Sequence, residues 1–475
     1  MVFSSFEFLL LFLPLVILGF WLAGKLHYYI SVLFLILASL FFYGYFRVDY
    51  VLILVSSIVG NYLVGEYLRA HKSRPVLTLA VAANVALLVY YKYSSLAVWT
   101  LAWSLGAQWP LPEILLPLAI SFFTFQQIAY VVDSFHRTTE RGSFLDYALF
   151  VSFFPQLIAG PIVRQQEVVP DIRDRRLRIV ASNFATGLSI FVAGLAKKVV
   201  LADEFAAIAD PAFDTVVAGD HIGSAVAWTG LLAYSLQIYF DFSAYSDMAI
   251  GIGLIFGLHL PINFDSPYKS RSIVEFWRRW HITLSRFLRD YLYIPLGGNR
   301  KGAAQRYVNL MITMLLGGLW HGAGWSFMLW GGLHGCYLVV NHVAGAIAWS
   351  RIPGAARVLS VVAWPLTFLA VILAWVPFRA FEGTSFLDYY ASLVSSVGAI
   401  PPAYDVLIVA VGLGICVLMP NVAEIFDLKK ADGTALVRLR WQRTRTAAAL
   451  TGLLLFVALF VVLKGRPYEF IYFQF

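Results

Sequence analysis

Long apolar runs, most of them near the length that crosses a bilayer, alternate with short polar loops along this chain. A span needs about 20 mainly apolar residues. Runs that meet or approach this length lie at 6–23, 26–46, 48–65, 75–92, 112–132, 181–201, 226–260, 307–321, 325–343, 360–378, 403–420 and 446–464. They predict an all-α polytopic membrane protein with about 11–13 crossing helices. Two stretches depart from this pattern. Residues 145–163 contain Pro155 and end in Gly160-Pro161, which reads as a re-entrant or interfacial segment rather than a span. The run 226–260 is too long: as one helix it would extend about 52 Å, against a hydrocarbon core of roughly 30 Å. Asp241, Ser243, Ser246 and Asp247 lie in its middle, so a broken helix, or a span joined to a re-entrant piece, is expected.

Composition strengthens this picture. Of 475 residues, 60% are hydrophobic and only 13% charged, against about 25% charged in soluble domains. No part of the chain is both long and polar enough to form a separate soluble domain, so residues 1–475 read as a single membrane-embedded domain. The net charge of +8 would suit nucleic acid in a soluble protein. Here the basic residues cluster in loops at 69–74, 137–141, 164–178, 269–306 and 429–445, which suits the positive-inside rule and a lipid partner, with no nucleic acid. Those loops are expected in the cytoplasm and the acidic loops 203–221 and 382–405 outside, with both termini outside. Met1 to Ser5 lack the basic start of a signal peptide, so the first run reads as a retained span. Cys336 and Cys416 both fall in apolar segments, and neither a disulfide framework nor a metal spacing is present.

Candidate chemistry begins with His321, in Gly317-Gly318-Leu319-Trp320-His321-Gly322. An ionisable side chain at membrane depth is costly and is a functional-site hypothesis by default. A buried histidine bonded to a backbone carbonyl is the plainer alternative, and close helix packing explains the glycines equally well. His334 lies thirteen positions on. On a continuous helix that rotates it about 220° from His321, so the two are expected on nearly opposite faces. His281 lies in Glu275-Phe276-Trp277-Arg278-Arg279-Trp280-His281. Read as one helix, 275–291 is aromatic on one face and arginine-rich on the other, as expected of a helix lying in the cytoplasmic interface. His281 then falls at the boundary between the faces. The arginines, with Arg278 and Arg279 the best placed, suit either anionic lipid or the phosphates of a donor. A neutral imidazole in an apolar site can act as general base, which fits acyl transfer from an activated donor.

Two runs carry a family resemblance: Phe276-Trp277-Arg278-Arg279-Trp280-His281-Ile282-Thr283-Leu284-Ser285 through Tyr293-Ile294-Pro295-Leu296-Gly297-Gly298-Asn299, and Gly318-Leu319-Trp320-His321-Gly322. With Met1 to Ser5 and Phe470 to Phe475, they make the chain resemble the membrane-bound O-acyltransferase family. The nearest branch is the bacterial one typified by the membrane subunit of alginate O-acetyltransferase. The resemblance implies a ring of tilted helices around a central tunnel, with His321 as the catalytic histidine and His281 assisting. It also implies acetyl-CoA as the probable donor substrate, with no bound cofactor and no metal. The acetyl group would pass across the bacterial inner membrane to a periplasmic acetyltransferase subunit that modifies an exopolysaccharide such as alginate or cellulose. A transporter or export channel with a histidine proton relay is the other class to weigh. Asp241 and Asp247 are its best support, but no inverted repeat is visible.

Overall fold

The computed structural model describes residues 1–475 except 108, 113, 140, 347–354, 381–384, 397, 430–438, 466, 467, 469 and 472–475. The described residues are helical, without strands. Among the described residues, six helices are long and apolar enough to cross a membrane: Glu7–Leu26, Asp49–His71, Arg74–Ser104, Ala181–Val217, Val361–Arg379 and Arg445–Lys464. Tyr28–Gly44 and Ala403–Leu418 are shorter apolar helices. Ile120–His136, Ser224–Phe256, Gly302–His321 and Trp325–Ala346 fill the remaining predicted runs. Many apolar side chains stay exposed on these helices, Leu10, Leu37, Leu63, Leu79 and Phe456 among them. Exposure on that scale requires lipid rather than water outside, and the chain is a multi-pass membrane protein.

The residues group into two compact units, Met1–Leu195 with Tyr245–Pro261, and Ala196–Ala244 with Ile262–Phe475. In the first, Phe8 and Phe12 pack against Phe42 and Phe154 at ring separations of 5.3–5.9 Å. The 145–163 stretch forms a nine-residue helix, Phe144–Ser152, opened by a Ser143–Asp146 capping box. A four-residue turn of helix, Phe154–Leu157, and irregular backbone follow it. Both helices are too short to cross. Residues 146–163 are buried, as irregular backbone at membrane depth must be. At the edge of this unit Asp171 accepts hydrogen bonds from the His259 N–H at 3.1 Å and from the His259 ring at 3.0 Å.

The expected break in 226–260 is absent. Ser224–Phe256 is one continuous helix of 33 residues, about 50 Å long at 1.5 Å per residue. Its polar groups are absorbed rather than exposed. The Ser235 and Ser243 hydroxyls donate to carbonyls of their own helix. Asp241, 2% exposed, pairs with Lys198 at 2.9 Å and accepts the Ile471 N–H at 2.8 Å. Lys198 also reaches Asp203 at 2.8 Å. A paired carboxylate removes the reason to unwind.

The single amphipathic helix expected at 275–291 is overturned in the opposite sense. Helix Ile273–Arg279 stops, Trp280 is extended, and His281 sits in the left-handed region at φ 41° and ψ 55°. A second short helix, Ile282–Leu288, then starts and continues as a wider turn, Arg289–Tyr293. A wheel drawn through the whole stretch therefore mixes two helices. His281 is fully buried rather than at an interface edge.

Candidate active site

All the residues of this site belong to the second unit. Helix Gly302–His321 ends on the histidine itself, and Gly322-Ala323-Gly324 turns the chain into helix Trp325–Ala346. The two helices cross closely because glycines face each other. A methyl added at Gly318 would meet the Phe327 carbonyl, and one at Gly331 would meet the Met314 carbonyl. Packing thus accounts for these glycines without a substrate. The same turn corrects the placement of His334. No continuous helix joins it to His321, and both rings pack against Trp330, with centroids 5.0 and 4.8 Å away.

His321 is 5% exposed and lies among aromatic rings: Trp320 at 4.9 Å, Trp330 at 5.0 Å and Phe378 at 5.3 Å. Phe378 arrives on Val361–Arg379, whose Trp375 stacks on Trp330 and packs against Trp280 at 5.0 Å. His281 enters from the break between the two short helices. Its ring packs against Trp320 at 5.8 Å and Phe242 at 4.8 Å. The two predicted histidines, forty positions apart, thus meet the same indole. His334 accepts the Trp277 indole N–H on Nδ1 at 3.3 Å.

The arginines divide. Arg278 lines a cavity of about 590 Å³ with Arg286, Arg289, Ser285, Ile282, Thr313 and other residues. The neighbouring Arg279 is engaged elsewhere, by the Glu275 carboxylate at 3.0 Å and the Asp265 carbonyl at 3.2 Å. Among the described residues no group of three or more His, Cys, Asp or Glu is arranged to hold a metal ion. Of Asp241 and Asp247, the residues that best suit a proton-relay transporter, Asp241 is committed to Lys198 and the Ile471 N–H.

Sequence reasoning missed the residue that contacts the His281 imidazole directly. Asn263 Oδ1 lies 3.1 Å from His281 Nδ1 and is 18 positions away along the chain. Nothing in Pro261-Ile262-Asn263 signals it. The aromatic setting was legible as residues but not as one cluster. The glycine pair at 322 and 324 was the available sign that His321 ends a helix.

Buried histidines set among indole rings, inside a multi-pass membrane protein, form the candidate active site. The family model for membrane-bound O-acyltransferases matches residues 137–353, which include His281 and His321. A peptidoglycan O-acetyltransferase of Helicobacter pylori is 45% identical over 84% of this chain and 80% of its own. A probable alginate O-acetylase AlgI of Pseudomonas aeruginosa is 44% identical over 80% of this chain and 72% of its own. Another, of Pseudomonas putida, is 38% identical over the full length of both. The chain belongs to the membrane-bound O-acyltransferase family and is an O-acyltransferase.

Proposed function

We propose that this O-acyltransferase takes acetyl groups from acetyl-CoA on the cytoplasmic side of a bacterial inner membrane. It delivers them toward an exopolysaccharide or cell-wall glycan outside, by way of a periplasmic acetyltransferase subunit. His321 is the general base. The hydroxyl of the acceptor loses its proton to His321 as its oxygen bonds to the acetyl carbonyl carbon. The carbon–sulfur bond then breaks, and the leaving thiolate recovers the proton from the imidazolium. His281 assists by accepting a proton or hydrogen bond from a reactant. The apolar rings around both histidines exclude water that would hydrolyse the thioester. Arg278 draws the donor's phosphates from the cavity it lines; a guanidinium fork suits phosphate oxygens.

The observation that carries this reading is the meeting of two buried histidines, one ending a long helix and one at the break between two short helices, on the single indole of Trp320. The names of the relatives favour acetyl as the acyl group and a glycan as the final substrate. The arginine-lined cavity favours a phosphate-bearing donor. The test is acetyl transfer from labelled acetyl-CoA by the purified protein in detergent. Arg278→Ala is expected to raise KM for acetyl-CoA by about tenfold or more, the loss of one charge-assisted bond. An unchanged KM in Arg278→Ala, Arg279→Ala and the double variant rejects the donor site and leaves these arginines as lipid contacts.

A further inference from the structure

Helix Ile282–Leu288 begins without a capping side chain of its own. Its N-cap is His281, which is left-handed and makes no capping bond. The first orphan N–H groups of a helix need partners when buried, and here Asn263 supplies them from a distance. Its main-chain oxygen accepts the Ile282 N–H at 2.9 Å. Its side-chain Oδ1 accepts the Thr283 N–H at 3.2 Å and the Thr283 hydroxyl at 2.9 Å. A backbone N–H can only donate, so the Asn263 atom facing it is the carbonyl oxygen and not the amide nitrogen.

The same oxygen lies 3.1 Å from His281 Nδ1. That oxygen only accepts, so the proton is on Nδ1. A neutral imidazole carries one N–H, which leaves Nε2 as a bare lone pair. Nε2 is buried and has no hydrogen-bond partner among the described residues. A buried acceptor of this kind is costly unless a ligand or reactant meets it. The left-handed backbone at His281 is a second cost at the same residue, because a non-glycine side chain is strained there.

We infer that Asn263 is a positioning residue: it holds His281 in the Nδ1–H form, so that Nε2 is presented to the reactants solely as a proton acceptor. This deepens the role of His281 proposed above and rests on it. When a hydroxyl or thiol gives its proton to Nε2, the O–H or S–H bond breaks and an N–H bond forms. The Nδ1–H stays hydrogen-bonded to Asn263 Oδ1 throughout, and Nε2 gives its proton to the leaving thiolate, which departs as the thiol. The amide is neutral, so it orients the ring without favouring the imidazolium as a carboxylate would.

The experiment compares Asn263→Leu, Asn263→Asp, Thr283→Val and His281→Ala in the full-length protein, purified in detergent and assayed with labelled acetyl-CoA. Asn263→Leu removes the acceptor and frees the ring to exchange tautomers; kcat is expected to fall about 100-fold, with KM for acetyl-CoA unchanged. Asn263→Asp keeps an acceptor oxygen at Nδ1 but favours the imidazolium, so it is expected to recover most of the loss only as the assay pH is raised. Thr283→Val disturbs the same cap but leaves the His281 bond, so it is expected to stay near wild-type. Three results overturn the inference: Asn263→Leu with wild-type kcat, failure of aspartate to rescue at raised pH, or equal losses in Asn263→Leu and Thr283→Val. If His281→Ala itself transfers acetyl normally, the underlying reading of His281 fails instead. Loss in His281→Ala with full activity in Asn263→Leu refutes the role of Asn263 alone.

Discussion

Two polar interruptions in this chain look alike in sequence and resolve in opposite ways. In Ser224–Phe256 a carboxylate sits deep in an apolar helix, and the helix does not break. In 275–291 an unbroken amphipathic pattern runs through His281, and the helix does break. The difference lies in where each polar group finds its partner. Asp241 is neutralised by Lys198 and held by the Ile471 N–H, with ordinary helical backbone around it. His281 has one nitrogen tied to Asn263, the other bare, and a backbone in the left-handed region. Paired and relaxed polar groups serve the fold. Strain together with an unmet acceptor marks a site shaped for something beyond stability.

The largest stability effect is expected on the Asp241 side of this contrast. Lys198→Met strands the buried Asp241 carboxylate and the partly buried Asp203, and removing one partner of a buried ion pair costs about 3–5 kcal/mol. Lys198→Met combined with Asp241→Leu is expected to recover much of that loss, because it removes the stranded charge at Asp241. Thermal unfolding in detergent measures both. A Lys198→Met protein as stable as wild type breaks the comparison, because Asp241 would then be paid for in some other way.

A smaller effect sharpens the His281 side. Within a regular helix, glycine is about 1 kcal/mol less favourable than alanine. At φ 41° the order reverses, because glycine alone tolerates that region without strain. His281→Gly is expected to unfold at a higher temperature than His281→Ala, while both lose acetyl transfer. The ordinary helical order would mean that the stretch is continuous after all.

Much of the fold was legible because spans declare themselves through length and hydropathy. Helices such as Arg74–Ser104 and Arg445–Lys464 cover the predicted runs. The failures share a cause: a distant partner decided the local structure. Lys198 lies far from Asp241 in sequence yet keeps that helix whole. Asn263 takes the Ile282 and Thr283 N–H groups and so starts a new helix that periodicity could not show. The wheel that set His334 opposite His321 failed because it assumed continuity through Gly322 and Gly324. His321 stood out because ionisable groups in apolar runs are rare; His281, in an arginine-rich run, stood out through the family resemblance. Their meeting at Trp320 needed the fold.

The smallest expected effect lies outside the spans, at His259 and Asp171. Hydrogen bonding to Asp171 holds the imidazole above its usual value, outweighing burial. Burial pushes the Asp171 carboxyl up, but the hydrogen bonds from His259 and the nearby charges prevail and hold it below its usual value. The histidine's contribution is full below about pH 6.5 and fades as pH rises through its raised value. The carboxylate's contribution is full above about pH 4 and fades as pH falls through its lowered value. His259→Gln is therefore expected to lower the unfolding temperature slightly between these limits and to match wild type in alkali. A difference that grows with rising pH contradicts the pairing. Solvent exposure of His259 keeps the effect small.

If the buried histidines at Trp320 do the chemistry, His321→Ala removes the general base. Transfer from labelled acetyl-CoA is measured with the variant purified at wild-type yield from the membrane fraction. The account predicts a loss on the order of 10²–10⁴-fold, the usual contribution of a positioned base, with the fold intact. Wild-type transfer by His321→Ala contradicts it.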